Sequence, residues 1–454
     1  MIMVDWKEFL IKSSLVQRVY LVVTLIKYFL MRLVGKDFSA YCATLNYERI
    51  ARTVSSWCSY NIIKKINFCL TETIKSSVDK NILLNNYVRS KESKKYREEF
   101  RMYGTQYQIR LKYPREHDTL LRQGDVLLLK PKISQNEKGV LLIQYNESFK
   151  KFVSIFDLKK LAESYRLVLE PSTWGYCDPS ILFFLGLGTD VVVQAQHHLD
   201  YEYIYSLKSN LIPLRLGAGD WIDSDRFSSE QNLAYKKYDI VMVASWQKIK
   251  RHAFLFKNLQ KIDNIIQKVA LIGYPCGGRF QENIISDAKK YSVLQKIEIF
   301  ENISREEVAA IVRHSKIGVM LTIREGANKG LYEYLFSGLP ILITNRNIGV
   351  NRDHINQYTG IAVEDHALAE GIQNLIVNLK KYHPREWALK NTGYRYANNL
   401  LNECLKNLAI KNNEEWTQNI YMKKNDTNAK YVFDRERESA DKEMEHLKIM
   451  VVAH

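Results

Sequence analysis

The stretch Arg324-Glu-Gly-Ala-Asn-Lys-Gly-Leu-Tyr-Glu333 sets two carboxylates, Glu325 and Glu333, on either side of a segment carrying Asn328, Lys329 and the glycines Gly326 and Gly330. It follows an apolar run and precedes helical spacing, so Asn328 is placed to cap a helix. The backbone N–H groups around Lys329 and Gly330 then face outward with the positive end of the helix dipole. Such a helix start binds anions. Carboxylates beside an anion repel it unless they accept hydrogen bonds from hydroxyls. A nucleotide-sugar has the layout that fits: sugar hydroxyls, diphosphate, ribose hydroxyls.

These residues need a sheet behind them. Apolar runs at Tyr238–Ala244, Lys268–Gly273, Ile297–Phe300, Ile317–Ile323 and Ile341–Thr344 alternate with helical stretches, and Ser304-Arg-Glu-Glu307 is a capping box opening a helix to His314. A short helix ends at Gly338, a residue suited to the left-handed position after a helix. An earlier set, Val126–Leu129, Val140–Gln144, Tyr165–Leu169, Asp190–Gln194 and Asn210–Arg215, reads the same way, with helical spacing over Phe156–Glu163. The pattern predicts an α/β chain with two doubly wound parallel sheets joined near residue 235, and substrates in the cleft outside the strands' carboxyl ends. Four regions are expected: a mostly helical extension over 1–120, α/β domains over 121–235 and 236–385, and helices with a tail over 386–454.

Composition narrows the classes. With 454 residues, 46% hydrophobic, 26% charged, 20 Gly and 8 Pro, the chain is neither collagen-like nor mostly disordered. Its six cysteines show no CxxC pair and no metal-ligand spacing, so neither a zinc site nor a secreted disulfide framework is expected. The net charge is +16, and the first 100 residues, with 17 basic against 9 acidic, hold half of it. Such a surface attracts polyanions, although no RRM, KH or zinc-finger text marks nucleic acid as the partner. Near the start, Leu15–Val34 is apolar but broken by Arg18, Lys27 and Arg32, which leaves no run of the roughly 20 apolar residues a spanning helix needs. On a helix, Lys7, Arg18, Arg32 and Lys36 fall within a sector of about 60°. Two readings fit, an amphipathic segment lying on an anionic bilayer or a long helix packed on the protein's own core.

The setting E-G-x-N-x-x-L-Y-E-x-x-x-x-G-L-P around Glu325, Glu333 and Gly338-Leu-Pro340 resembles the E-x7-E signature of retaining glycosyltransferases of the GT-B fold, family four. Glu301–Val308, Gly318–Thr322 and Tyr358-Thr-Gly360 agree with that family's C-terminal domain. The resemblance is good over 235–400, weaker over 125–234 and absent before. It implies that Glu325 binds donor-sugar hydroxyls, Glu333 the ribose hydroxyls, and the main chain from Gly326 through Asn328 and Lys329 to Gly330 the diphosphate. It also implies a cation pair after the first strand of that domain. Lys250 matches the family lysine, but Ala244 stands where arginine is expected, which leaves Arg251 or Lys248 to supply the second charge. Gly273, in Gly273-Tyr-Pro-Cys-Gly-Gly-Arg279, is placed near the nucleotide or in a plain glycine turn.

In the earlier half, Glu170 and Trp174 lie in a loop after a strand, and His197 and His198 after the next, where each could touch sugar or acceptor or serve structure alone. Adjacent histidines on an extended strand point opposite ways, which argues against a shared metal. The resemblance implies a hexosyl transfer from a nucleoside diphosphate sugar to a hydroxyl with retention, requiring no metal. Its setting would be cytoplasmic or peripheral on the membrane's cytoplasmic face, in polysaccharide or glycolipid assembly, with a saccharide or lipid-linked acceptor. Two alternatives stay open: a nucleotide-sugar epimerase on the same fold, and a non-catalytic basic binding or partner protein.

Overall fold

Val126–Lys130 (β1), Gly139–Gln144 (β2) and Tyr165–Glu170 (β3) are buried at every position, so both faces of the sheet they form must be covered. A computed structural model describes residues 14–34, 40, 43–44, 82–103, 126–171, 179–227, 236–326, 329–425, 429–447 and 450. The chain divides into two compact units, Met1–Gly217 with Leu401–Lys423 and Asn428–His454, and Ala218–Leu400 with Lys424–Thr427.

In the first unit, helices Ser14–Leu33 (α1), Ile82–Val88 (α2) and Lys91–Tyr103 (α3) precede the strands. Between and beyond β2 and β3 come Asn146–Ile155 (α4), Leu158–Ser164 (α5), Val191–Gln194 (β4), His198–Ser206 (α6) and Leu211–Leu214 (β5). The sheet order is β1-β2-β3-β4-β5. Four strands are parallel, as expected, but β1 runs antiparallel to β2. The reason is length: residues 131–138 are too few for the crossover of about a dozen residues that a parallel return requires. The order also steps in one direction, so right-handed crossovers place α4, α5 and α6 on one face. There Leu128, Ile143, Leu167 and Val193 pack with Phe149, Phe152, Leu161 and Ile204. The reversal of winding expected in this half is not seen among the described residues. Toward the other face the chain returns at its end: Arg166, buried on β3, meets Glu414 at 2.7 Å.

The second unit is doubly wound. Its elements are Tyr238–Val243 (β6), His252–Leu259 (α7), Val269–Gly273 (β7), Gln281–Lys290 (α8), Ile297–Glu301 (β8), Arg305–Arg313 (α9), Ser315–Met320 (β9), Lys329–Phe336 (α10), Ile341–Thr344 (β10), Gly360–Val363 (β11), Leu368–Val377 (α11) and Pro384–Asn391 (α12). Parallel strands run in the order β11-β10-β9-β6-β7-β8, with the reversal between β6 and β9. Alternate residues feed two cores. Val241, Ala270, Ile272 and Ile343 join α9 and α10 on one face, and Ile240, Met242, Leu271 and Val319 join α7, α8 and α11 on the other. The chain ends through Tyr394–Lys411 (α13), the short strands Lys423–Asn425 (β12) and Ala429–Tyr431 (β13), and Asp434–Leu447 (α14).

Candidate functional site

Strands β6 and β9 diverge in their onward connections, and an open α/β sheet leaves a crevice outside the carboxyl ends of such strands. A pocket of about 590 Å³ lies here within the second unit. Lys250, Glu325, Lys329, Gly330, Glu333, Gly273 and Arg305 are among its lining residues.

Lys250 reaches it from a loop pinned by Trp246. The indole is fully buried, donates from Nε1 to Glu301 Oε2 at 2.6 Å, and sits edge-on to His252 at 5.4 Å between ring centroids. Gly273 makes this possible, since a Cβ there would stand 2.4 Å from the Ala244 carbonyl oxygen and 2.6 Å from the indole. The imidazole of His252 is held neutral, its pKa pulled down to about 3 by burial and by the nearby charges of Arg279 and Lys250. A 3-10 turn over Lys248–Lys250 then presents the ammonium, whose Nζ is 2.5 Å from Glu325 Oε2.

Glu325 is set by two loops laced together. Its N–H donates to the Ile348 carbonyl at 2.9 Å, the Ile348 N–H donates to the Ile323 carbonyl at 2.8 Å, and Asn347 Nδ2 donates to the Thr322 carbonyl at 2.9 Å. Gly349, at φ 107°, passes so close that a Cβ would fall 1.8 Å from the Glu325 carbonyl oxygen. Only glycine accepts both that dihedral and that approach.

Glu333 lies in α10. The helix is docked by Tyr334, whose hydroxyl oxygen accepts from the Val243 N–H at 2.7 Å, and Gly318 leaves room for the ring. Burial pushes the Tyr334 hydroxyl pKa up, so it stays protonated. The Glu333 side chain is 1% exposed and its Oε1 is 2.8 Å from Arg305 Nη1. This is an ion-pair contact without hydrogen-bond alignment, and neither Glu333 oxygen has a hydrogen-bond partner among the described residues. Arg305 opens α9 behind the capping box read from the sequence: Ser304 Oγ accepts from the Glu307 N–H at 3.2 Å, and Glu307 Oε2 accepts from the Ser304 N–H at 2.8 Å.

The structure therefore brings Lys250, Glu325, Lys329, Gly330, Glu333 and Gly273 to one pocket. Other candidate positions stand elsewhere. Arg251, expected as a second cation, is not a lining residue; at φ 66° the chain turns its guanidinium to Asp365, at 3.0 and 2.6 Å, and over the Phe254 ring. Lys248 is exposed and does not line the pocket. Gly326 follows Glu325 without lining the pocket, and Asn328 lies outside the described residues, as does Trp174.

Glu170, offered as a sugar contact, is buried in the first unit, where it pairs with Lys423 at 2.8 Å and accepts from Gln144 Nε2 at 2.5 Å. His198 is the first residue of α6 rather than part of a strand, so its ring and that of His197 do not diverge; their centroids are 4.6 Å apart. Arg305 was not read as a site residue. Its sequence signal, the capping box, speaks only for a helix start, and the packing of α9 beside α10 reveals the rest.

With three cations and two carboxylates among its lining side chains, the pocket can hold an anion and accept hydrogen bonds from hydroxyls beside it. Among the described residues no group of three or more His, Cys, Asp or Glu is placed to hold a metal ion.

Residues 223–388 match the family described as Glycosyl transferases group 1. No curated protein matches the chain. Among solved structures, it is similar to sucrose-phosphate synthase from Thermosynechococcus elongatus, with 14% identity over 60% of this chain and 74% of that one, and a TM-score of 0.46. A glycosyltransferase from Rickettsia africae gives 16% identity over 60% and 77%, with a TM-score of 0.46. The Anabaena protein HepE in complex with UDP and glucose gives 11% over 58% and 77%, with a TM-score of 0.46.

Proposed function

We propose, from the premise that residues 223–388 are a glycosyl transferases group 1 domain, that this chain moves a hexosyl group from a nucleoside diphosphate sugar to a hydroxyl acceptor with retention of configuration. The observation that carries this reading is the gathering of Lys250, Glu325, Lys329 and Glu333 around one pocket. Glu325 accepts hydrogen bonds from the donor sugar and Glu333 from the ribose. Lys250 and the amides opening α10 meet the diphosphate. As the anomeric C–O bond breaks, negative charge grows on the departing phosphate oxygen, and these fixed donors stabilise it without reorganising. The acceptor oxygen attacks on the face the diphosphate leaves, and its proton passes to that phosphate oxygen. Residues 236–385 serve as the nucleotide-sugar domain and 121–235 as the acceptor domain.

The acceptor is lipid-linked and the chain rests on an anionic membrane surface, as in glycolipid or polysaccharide assembly. Helix α1 supports this. Thr24 is buried and Tyr28 packs on the first unit's core, while Val19, Val22, Val23, Ile26, Phe29, Leu30 and Leu33 are each more than half exposed. By helical spacing the positions of Arg18 and Lys27 border that apolar face, and the helix contains no acidic residue, the pattern of a helix lying in a bilayer interface. Among the described residues no helix is long and apolar enough to cross a membrane.

A thermal-shift screen across UDP-, GDP- and ADP-sugars tests the donor. Stabilisation by one of them, lost in Glu333→Ala, is the expected result, and no shift with any would remove the reading. Flotation with anionic vesicles, lost when residues 1–36 are deleted, tests the surface.

A further inference from the structure

Glu325 and Glu333 stand on different elements, one on the loop after β9 and the other in α10, so a ligand gripped by both needs helix and loop held at one spacing. The lacing through Ile348 fixes the loop, and the Tyr334 hydroxyl docks the helix on β6. Each of these acts on one of the two elements.

We infer that His354 is a positioning residue that ties α10 to the Glu325 loop through its two ring nitrogens; the inference rests on the nucleotide-sugar reading above. His354 is buried in a 3-10 turn, Arg352–His354, edge-on to the rings of Tyr332 and Trp387 at 5.6 and 5.3 Å between centroids. Its neighbour sets the roles of the nitrogens. Asn351 Oδ1 accepts from the Asp353 N–H at 3.1 Å, capping the turn, and this aims Asn351 Nδ2 at His354 Nε2, also at 3.1 Å. An amide N–H only donates, so Nε2 is the accepting nitrogen and Nδ1 carries the hydrogen. That hydrogen faces the Tyr332 hydroxyl oxygen, 3.1 Å from Nδ1. Asp220 Oδ1, which accepts from Thr392 Oγ1 at 2.6 Å, stands 3.9 Å from Nδ1 and favours the same placement.

Each bond leads to one carboxylate. Tyr332 directly precedes Glu333 in α10, and Asn351 lies two residues beyond Gly349, whose close approach sets the Glu325 backbone. An asparagine amide nitrogen at 354 would overlie Nδ1, and a glutamine amide oxygen would overlie Nε2. The two replacements therefore cut one bond each.

Hydrogen–deuterium exchange of the full chain tests the ties without ligand. His354→Gln should speed exchange over Lys329–Phe336 about fivefold or more and leave 345–351 as in wild type, since losing one buried hydrogen bond eases local opening by about that factor. His354→Asn should do the reverse. Tyr332→Phe, which removes only the hydroxyl, should match His354→Gln. Asn351→Ser, which keeps an oxygen to cap the turn, should match His354→Asn. Any other pattern of exchange overturns the inference.

Calorimetric titration with UDP, GDP and ADP reads the consequence for binding. A ligand must re-order a loosened α10, so His354→Gln and Tyr332→Phe should bind the preferred nucleotide about fivefold or more weakly. His354→Asn and Asn351→Ser should stay within about twofold of wild type, because the ribose contact is on α10. Losses distributed otherwise, or none in any variant, overturn the positioning role. Wild type that binds none of the three removes the nucleotide reading instead, and the exchange pattern then decides whether the ring ties helix to loop.

Discussion

Replacing Lys250 by alanine should slow turnover far more than it weakens donor binding. Its Nζ lies 2.5 Å from Glu325 Oε2 and both side chains are partly exposed, so an effective dielectric near 20 applies. A cation about 4 Å from a full unit charge is then worth about 4 kcal/mol. If roughly half to three-quarters of a charge develops on the leaving phosphate as the bond breaks, the loss is about 2 to 3 kcal/mol, or about 30- to 150-fold in kcat. The ground state loses less, because the charge that Lys250 meets on the leaving oxygen grows only as the bond breaks. The fold should barely notice, since a partly exposed pair contributes about 1 kcal/mol or less. Steady-state kinetics at saturating acceptor, beside calorimetric Kd values for the intact nucleoside diphosphate sugar without acceptor, separate the two effects. A kcat within threefold of wild type, or an affinity loss as large as the rate loss, would refute the placement of Lys250 at the leaving group.

Gly349→Ala should reduce activity at least tenfold, since the new Cβ can fit only by displacing the Glu325 backbone; undiminished activity in kinetic assays would show that this loop yields freely. His252, with an unfolded value near 6.5 and a folded value of about 3, contributes stability that is present above pH 6.5 and lost as pH falls toward 3. Denaturant titrations should therefore show a shallower acid loss for His252→Asn than for wild type, and parallel slopes would contradict the neutral, buried assignment. Purified protein given a nucleotide-sugar without acceptor should form no epimer by chromatography, whereas an epimer would favour the alternative chemistry. Replacing Val22, Ile26 and Leu30 together by serine should abolish vesicle flotation while leaving thermal stability within a few degrees of wild type, and retained flotation would count against the α1 surface.

The second unit was legible because its information is local. Each strand is an apolar run with its own turn, and Glu325 and Glu333 sit on consecutive elements, so strand-loop-helix order alone brings them together. Lys250 came into view through the resemblance, and Trp246 shows why its loop is rigid, although the Glu301 partner that holds the indole is 55 residues away. What the chain's linear order hides is pairing at a distance. Arg305 meets Glu333 only because α9 packs beside α10, and Glu170 is neutralised by Lys423, 253 residues on. Arg251 follows Lys250 directly, yet a left-handed dihedral sends the two cations to different anions, a reversal that spacing does not encode. In the first unit the apolar runs located the strands but not the direction of β1 or the one-way order of the sheet. The direction of β1 depends on the length of the connection over 131–138, which is too short for a parallel return.

A crystal structure of the protein with its preferred nucleoside diphosphate bears most directly on the site. The phosphates should lie within hydrogen-bond distance of Lys250 Nζ and the amides at Lys329 and Gly330, with the ribose diol on Glu333. Density for the nucleotide anywhere else, with this pocket filled only by solvent, would contradict the assignment.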